Sequence, residues 1–136
     1  MPHALFITPL LATVGLIEKQ ARRAGRRVRI ASQPVAEIIV MPRAYVVEET
    51  RGVIKYVLDA DTDEVLAAAL LGVDAEELIN TVVLGMRHGV TVTELRESIY
   101  THPRSNAVAL WACGLGSCDE DGLCAGAGGL WPVSVF

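Results

Sequence analysis

Val53-Ile54-Lys55-Tyr56-Val57-Leu58, then Asp59-Ala60-Asp61-Thr62-Asp63, then Val65-Leu66-Ala67-Ala68-Ala69-Leu70-Leu71 is the stretch that decides the fold. Its first flank is rich in β-branched and aromatic side chains, and its last is an apolar run suited to burial on both faces. The Asp-rich middle supplies turn chemistry. Two strands joined by a turn follow, and residues 45–48 read as a strand before them, with Thr50-Arg51-Gly52 as the intervening turn. Residues 44–71 are therefore expected to form a three-stranded antiparallel meander.

Downstream, Ala75, Leu78, Ile79, Val82, Val83 and Met86 recur at helical spacing on one stripe, which predicts a helix over 75–88. Asp74 and Glu77 stand in capping-box positions, and Gly89 is placed to stop the helix. Thr91 and Glu94 repeat the box for a short helix over 91–98, with Leu95 and Ile99 as its apolar residues. Upstream, residues 5–8 read as a strand ending at Pro9, and residues 18–24 as a helix stopped by Gly25. Residues 26–31 read as a half-buried strand with Val28 and Ile30 inward, and residues 33–40 as extended chain broken by Pro42. The expected class is α+β, an antiparallel β-sheet with helices packed on one face.

The 136 residues suffice for one domain with a sizeable core, and the net charge of −4 exerts no pull toward nucleic acid or an anionic membrane. Lys19, Arg22, Arg23, Arg26, Arg27 and Arg29 form a basic cluster, but no aromatic residues interleave it. It reads as a solvated helix face beside an outward strand. The longest apolar run, residues 65–73, falls far short of the ~20 residues a membrane span needs. Residues 4–17 lack a basic lead and are interrupted by Thr8 and Pro9, so they read as a strand and its turn rather than a signal peptide. A cytoplasmic protein is the expectation. Three cysteines, Cys113, Cys118 and Cys124, suit reduced thiols rather than a disulfide framework. Hydrophobic residues at 51% suggest a surface that wants a partner.

Three blocks carry a family resemblance. The first is Phe6-Ile7-Thr8-Pro9 with Val14-Gly15-Leu16, Glu18, Gln20, Ala21 and Arg22. The second is Pro42-Arg43-Ala44, then Thr50-Arg51-Gly52-Val53-Ile54-Lys55, Asp59, Thr62 and Leu66. The third runs from Ala75-Glu76-Glu77-Leu78-Ile79-Asn80 through Gly89-Val90-Thr91 and Leu95 to Thr101-His102-Pro103. In order and spacing they resemble the C-terminal dimerisation domain of the FAD-dependent pyridine nucleotide-disulfide oxidoreductases, the group of dihydrolipoamide dehydrogenase, glutathione reductase and mercuric reductase.

The resemblance implies a homodimer built through the sheet and the helices over 75–88 and 91–99. It also implies a catalytic acid/base role for His102, reaching the partner subunit's flavin and redox sulfurs, with a cis peptide before Pro103. Such a histidine matters because thiolate is the nucleophile and the leaving sulfur must be protonated. The family's orienting Glu is replaced here by Ala107, and Asn106 is a poor substitute. In the chain taken alone, a structural role for His102 is the favoured reading.

FAD and NAD(P)H are implied by the family, yet no Gly-x-Gly-x-x-Gly occurs in this sequence, so the chain is not expected to bind either alone. That points to a last domain separated from its N-terminal FAD/NAD(P)-binding part, as a fragment, a truncated gene or a split subunit, inactive by itself. Residues 1–111 are assigned to the dimerisation domain and residues 112–136 to a Gly/Cys-rich tail, expected to be flexible. The alternative function is a small thiol- or metal-binding protein using Cys113, Cys118 and Cys124, for which Asp119 or His102 would have to supply a fourth ligand.

Overall fold

The computed structural model describes residues 1–38 and 41–100. Five strands form one sheet: β1 (His3–Leu5), β2 (Leu11–Gly15), β3 (Val28–Pro34), β4 (Val53–Asp59) and β5 (Val65–Leu71). Their order across the sheet is β1-β2-β5-β4-β3, and every pairing is antiparallel. Four α-helices accompany them: α1 (Glu18–Arg23), α2 (Pro42–Val46), α3 (Ala75–Arg87) and α4 (Val92–Glu97). A short 3-10 turn covers Val35–Glu37.

The β4–β5 hairpin forms as its sequence predicts, with Ile54 opposite Leu70 and Tyr56 opposite Ala68. Side chains alternate across a strand, so Ile54, Tyr56 and Leu58 share one face, and Val53, Lys55 and Val57 the other. The first face is the core. There Tyr56, Ile54, Leu58 and Leu70 pack with Leu78, Ile79 and Val82 of α3, Leu95 of α4, and Val35, Met41 and Ala44 from the β3–β4 connection. This is the antiparallel layer backed by helices that defines an α+β domain. On the opposite face α1 adds a small cover, with Ala21 against Val57 and Ala67.

Four local expectations are corrected. Residues 45–48 are not a strand, because α2 runs over Pro42–Val46 with proline in its first turn. β4 already has β3 on one side and β5 on the other, so no pairing slot is left for that segment. Residues 33–40 are not extended throughout, since β3 ends at Pro34 and the 3-10 turn follows. Asp74 stands at the N-cap of α3 as expected, its carbonyl accepting from the Glu77 amide at 3.0 Å and the Leu78 amide at 2.9 Å, but the side-chain capping box is not formed. It is left-handed at φ 58°, makes no side-chain capping bond, and its carboxylate accepts from Arg43 Nε at 3.3 Å.

The N-terminal strand lies at His3–Leu5 rather than over 5–8, and Leu11–Gly15 forms a further strand against β5. The Thr8–Pro9 peptide between them is cis. Gly15 is required where β2 ends. Its φ is 86°, and a Cβ there would lie 2.1 Å from the Leu66 carbonyl oxygen.

Candidate functional site

Two features of the described residues stand out: a charged seam at the β4–β5 turn, and a set of large apolar side chains left in the open. The seam begins with the Asp-rich turn. The Asp59 carboxylate accepts from the Asp61 amide at 2.9 Å, the Thr62 amide at 3.1 Å and Arg26 Nη1 at 2.9 Å. The Asp61 amide, ahead of the Thr62 amide and the guanidinium, holds that carboxyl below the usual range against the opposing effect of burial.

β3 and the two residues before it run beside this turn and aim their basic side chains at it. Arg27 Nη1 lies 3.3 Å from Asp61 Oδ1, Arg29 Nη2 lies 2.6 Å from Asp63 Oδ1, and Arg26 also reaches Glu64 at 3.4 Å. The basic cluster is therefore largely neutralised within the fold. Arg22 pairs with Glu18 at 3.2 Å, and Lys55 meets the same carboxylate at 3.3 Å. Burial pushes Glu18 up, but Lys55 and Arg22 together bring it below its ordinary value.

The turn also grips α4. Asp63, left-handed at φ 60°, accepts from the Thr93 amide at 3.1 Å and the Thr93 hydroxyl at 2.6 Å. The expected capping box of α4 is present: Thr91 Oγ1 accepts from the Glu94 amide at 3.2 Å, and Glu94 accepts from the Thr91 amide at 2.8 Å. These bonds from Thr91 hold the Glu94 carboxyl below its usual range. Tyr100, packed against the core, donates to the Leu95 carbonyl at 2.6 Å and so ties the exit of this segment back to α4.

The exposed apolar residues lie elsewhere. Phe6 is 82% exposed at the β1–β2 connection between Leu5 and Ile7, Val46 is 74% exposed on α2, and Ile99 is 99% exposed beyond α4. A groove of about 460 Å³ crosses the open face of the sheet, lined by His3, Thr13, Gly15, Ile17, Lys55 and Ala69 among others. Among the described residues no group of three His, Cys, Asp or Glu could hold a metal ion. No described helix is long and apolar enough to cross a membrane. His88 sits at the end of α3 as expected, its amide donating to Leu84 and Gly85, and His3 lies in β1. His102, Pro103, Asn106, Ala107, Cys113, Cys118, Asp119 and Cys124 lie outside the described residues.

With this layout in hand, comparison with known proteins becomes informative. Residues 1–113 match the family described as pyridine nucleotide-disulphide oxidoreductase, dimerisation domain. The chain belongs to that family. A probable pyridine nucleotide-disulfide oxidoreductase, RclA of Escherichia coli (strain K12), is 44% identical over 103 residues, which is 76% of this chain and 23% of the relative. A mercuric reductase of Bacillus cereus is 39% identical over 99 residues, 73% of this chain and 15% of the relative. The chain thus spans less than a quarter of the length of these two relatives.

Among solved structures, the Cu(II) complex of the HOCl-induced flavoprotein disulfide reductase RclA from Escherichia coli superposes with a TM-score of 0.78 at 39% identity. It covers 85% of this chain and 25% of that one. LpdA of Mycobacterium tuberculosis, at 21% identity and a TM-score of 0.72, shares the fold.

Among the described residues no parallel βαβ unit of the dinucleotide-binding kind is present. That unit places a glycine-rich turn at the opening of its helix, whereas every described strand pairing is antiparallel. In the sequence Phe6 stands only as part of a family block, with no sign of its exposure, and Asp63 only as a turn residue. The link of Asp63 to Thr93 bridges thirty positions of chain, beyond any local pattern.

Proposed function

We propose that this chain serves as the interface domain of an FAD- and NAD(P)H-dependent, disulfide-type oxidoreductase of the cytoplasm. It forms a homodimer and presents His102 to the partner subunit's flavin and thiol site. The cofactors belong to an N-terminal domain or chain, so these 136 residues alone are inactive. Residues 1–111 carry the dimerisation function, with residues 112–136 as an appended tail.

The observation that carries the reading is the contrast between a closed core and apolar side chains left bare on a family dimerisation domain. Phe6, Ile7, Val46 and Ile99 are all exposed. Leu5, Phe6 and Ile7 are exposed in succession, and such a run of bare apolar side chains supports an interaction site. The role of His102 rests on the resemblance of Thr101-His102-Pro103 and on its place in sequence two residues after Tyr100, which is tethered to α4. An imidazole can exchange a proton near neutral pH, as thiol–disulfide chemistry requires. Without a carboxylate at Ala107 its charged form is less supported.

Sedimentation velocity on the purified chain tests the dimer. A dimer at micromolar concentration is expected, and Phe6→Ser should weaken it about tenfold while leaving the far-ultraviolet circular dichroism of the folded chain unchanged, since Phe6 is 82% exposed. A monomer at that concentration overturns the reading. So does a flavin absorbance band that copurifies with the chain.

A further inference from the structure

The basic cluster around α1 is unevenly compensated. Arg22, Arg26, Arg27 and Arg29 each meet a carboxylate inside the fold. Among the described residues Lys19 and Arg23 meet none, and both are exposed. They stand four positions apart on α1, so their side chains share one side of the helix, where like charges repel. Arg22 and Lys55 add two more cations, which share the single carboxylate of Glu18. Four cations against one anion leave three positive charges uncompensated, on a chain whose net charge is −4.

These five residues line an open groove of about 620 Å³, and the sixth lining residue is Ile17. Ile17 is 64% exposed, and Leu16 beside it 44%. Neither is loose. The Leu16 amide donates to the Leu66 carbonyl at 3.2 Å, and the Ile17 amide donates to Gln20 Oε1 at 3.2 Å. The Ile17 carbonyl accepts from the Gln20 amide at 2.8 Å and the Ala21 amide at 3.2 Å. The backbone that carries this isoleucine is fully bonded while its side chain stays in the open. Ile17, Glu18 and Lys55 also line the groove over the open face of the sheet, so the two grooves adjoin.

We propose that the groove beside α1 docks an acidic segment of another protein, whose carboxylates pair with Lys19 and Arg23 while an apolar side chain packs on Ile17. Charge complementarity selects a partner rich in Asp and Glu. Ile17 and the aliphatic stems of the surrounding cations offer it apolar contact as well as charge. A nucleic-acid strand fits less well, because no aromatic ring lines the groove to stack on a base. An anionic bilayer is a broad target, and a chain of net charge −4 is repelled by it everywhere beyond this patch. The dimer proposed above rests on other residues, Phe6, Ile7, Val46 and Ile99, so either reading can fail alone.

The test screens the full chain against a library of short random peptides and measures the selected peptides on three variants. Lys19→Gln/Arg23→Gln removes the uncompensated charge. Ile17→Ser removes the apolar anchor and places a favoured residue at the N-cap of α1. Arg27→Gln, on a guanidinium already paired with Asp61, is the control. Circular dichroism follows the fold of each.

The selected peptides should be rich in Asp and Glu around an apolar residue. The double variant and Ile17→Ser should each lose about tenfold in affinity, and Arg27→Gln less than about twofold. Added salt should weaken binding to the wild type more than to the double variant. Peptides without an acidic bias, or acidic peptides held equally by wild type and double variant, overturn the proposal. Tighter binding of phosphatidylglycerol vesicles or of polyuridylate through the same residues overturns it in favour of a membrane or RNA. A double variant that sediments as a monomer where the wild type is a dimer also overturns it, because a second copy of this chain is then the occupant. Loss of the dimer in Phe6→Ser alone leaves the peptide measurements to decide about this groove.

Discussion

On one face of the sheet, Ile54, Tyr56, Leu58 and Leu70 are buried beneath Leu78, Ile79 and Val82 of α3. On the other, Val57 and Ala67 meet only Ala21 of the six-residue α1, with Val28, Ile30 and Leu66 half-covered at the margin. The same strands supply both faces, so the difference lies in which side chains alternate onto each. β4 and β5 send large residues inward and Lys55, Ala67 and Ala69 outward. The core face closes by side-chain volume. The open face is held by close backbone approach and by ion pairs along its edge, and it keeps a groove. A domain that needs only one face for its own stability has the other available for a neighbour.

The largest expected break in this contrast is Leu70→Ala. Leu70 is fully buried, and its truncation should lower unfolding free energy in urea by about 2–5 kcal/mol. Ile30→Val on the open face should cost less than about 1 kcal/mol, because Ile30 is only half-buried. Equal losses would mean that the two faces are equally packed.

A smaller effect sharpens the backbone side of the comparison. Gly15→Ala places a Cβ 2.1 Å from the Leu66 carbonyl at a positive φ, so it should destabilise by more than about 2 kcal/mol. Gly25→Ala, also left-handed but with nothing within 4 Å, should cost only the conformational penalty of about 1 kcal/mol. Thermal midpoints of the two variants should rank in that order.

The smallest effect is set by pH. Asp59, Glu18 and Glu94 have carboxyls held below their ordinary values in the folded chain. Their stabilisation is complete above the unfolded carboxyl pKa of about 4 and is lost as pH falls through the lower folded values. The main core cluster carries no carboxylate. Hydrogen exchange between pH 5 and about 3 should therefore loosen the β4–β5 turn, α1 and the start of α4 before the centre of α3.

The hairpin, α3 and the cap of α4 were legible in the sequence because each rests on a local pattern: turn-forming Asp, a stripe of apolar residues, Thr91 followed by Glu94. α2 was not. Tyr45, Val46 and Val47 have strand-like side chains, yet Pro42 opens a helical turn and both sides of β4 are already taken by β3 and β5. β2 was missed because its register is set by β5, with Leu11 opposite Leu71, far along the chain. Asp74 illustrates the same limit, since its expected side-chain capping role yields to Arg43 from another element. Of the candidate site, the family blocks were readable, but the Asp63–Thr93 link and the exposure of Phe6 depend on tertiary placement.

The sheet order has a consequence for biosynthesis. Leu11–Gly15 emerges from the ribosome about 60 positions ahead of the strand it must lie against. At an elongation rate of about 5–20 residues per second, that is a delay of roughly 3–12 s. Through that interval the β1–β2 hairpin, with Leu5, Phe6 and Ile7 at its connection, has an open edge where β5 will later pair, and an open apolar edge is a site for wrong pairing.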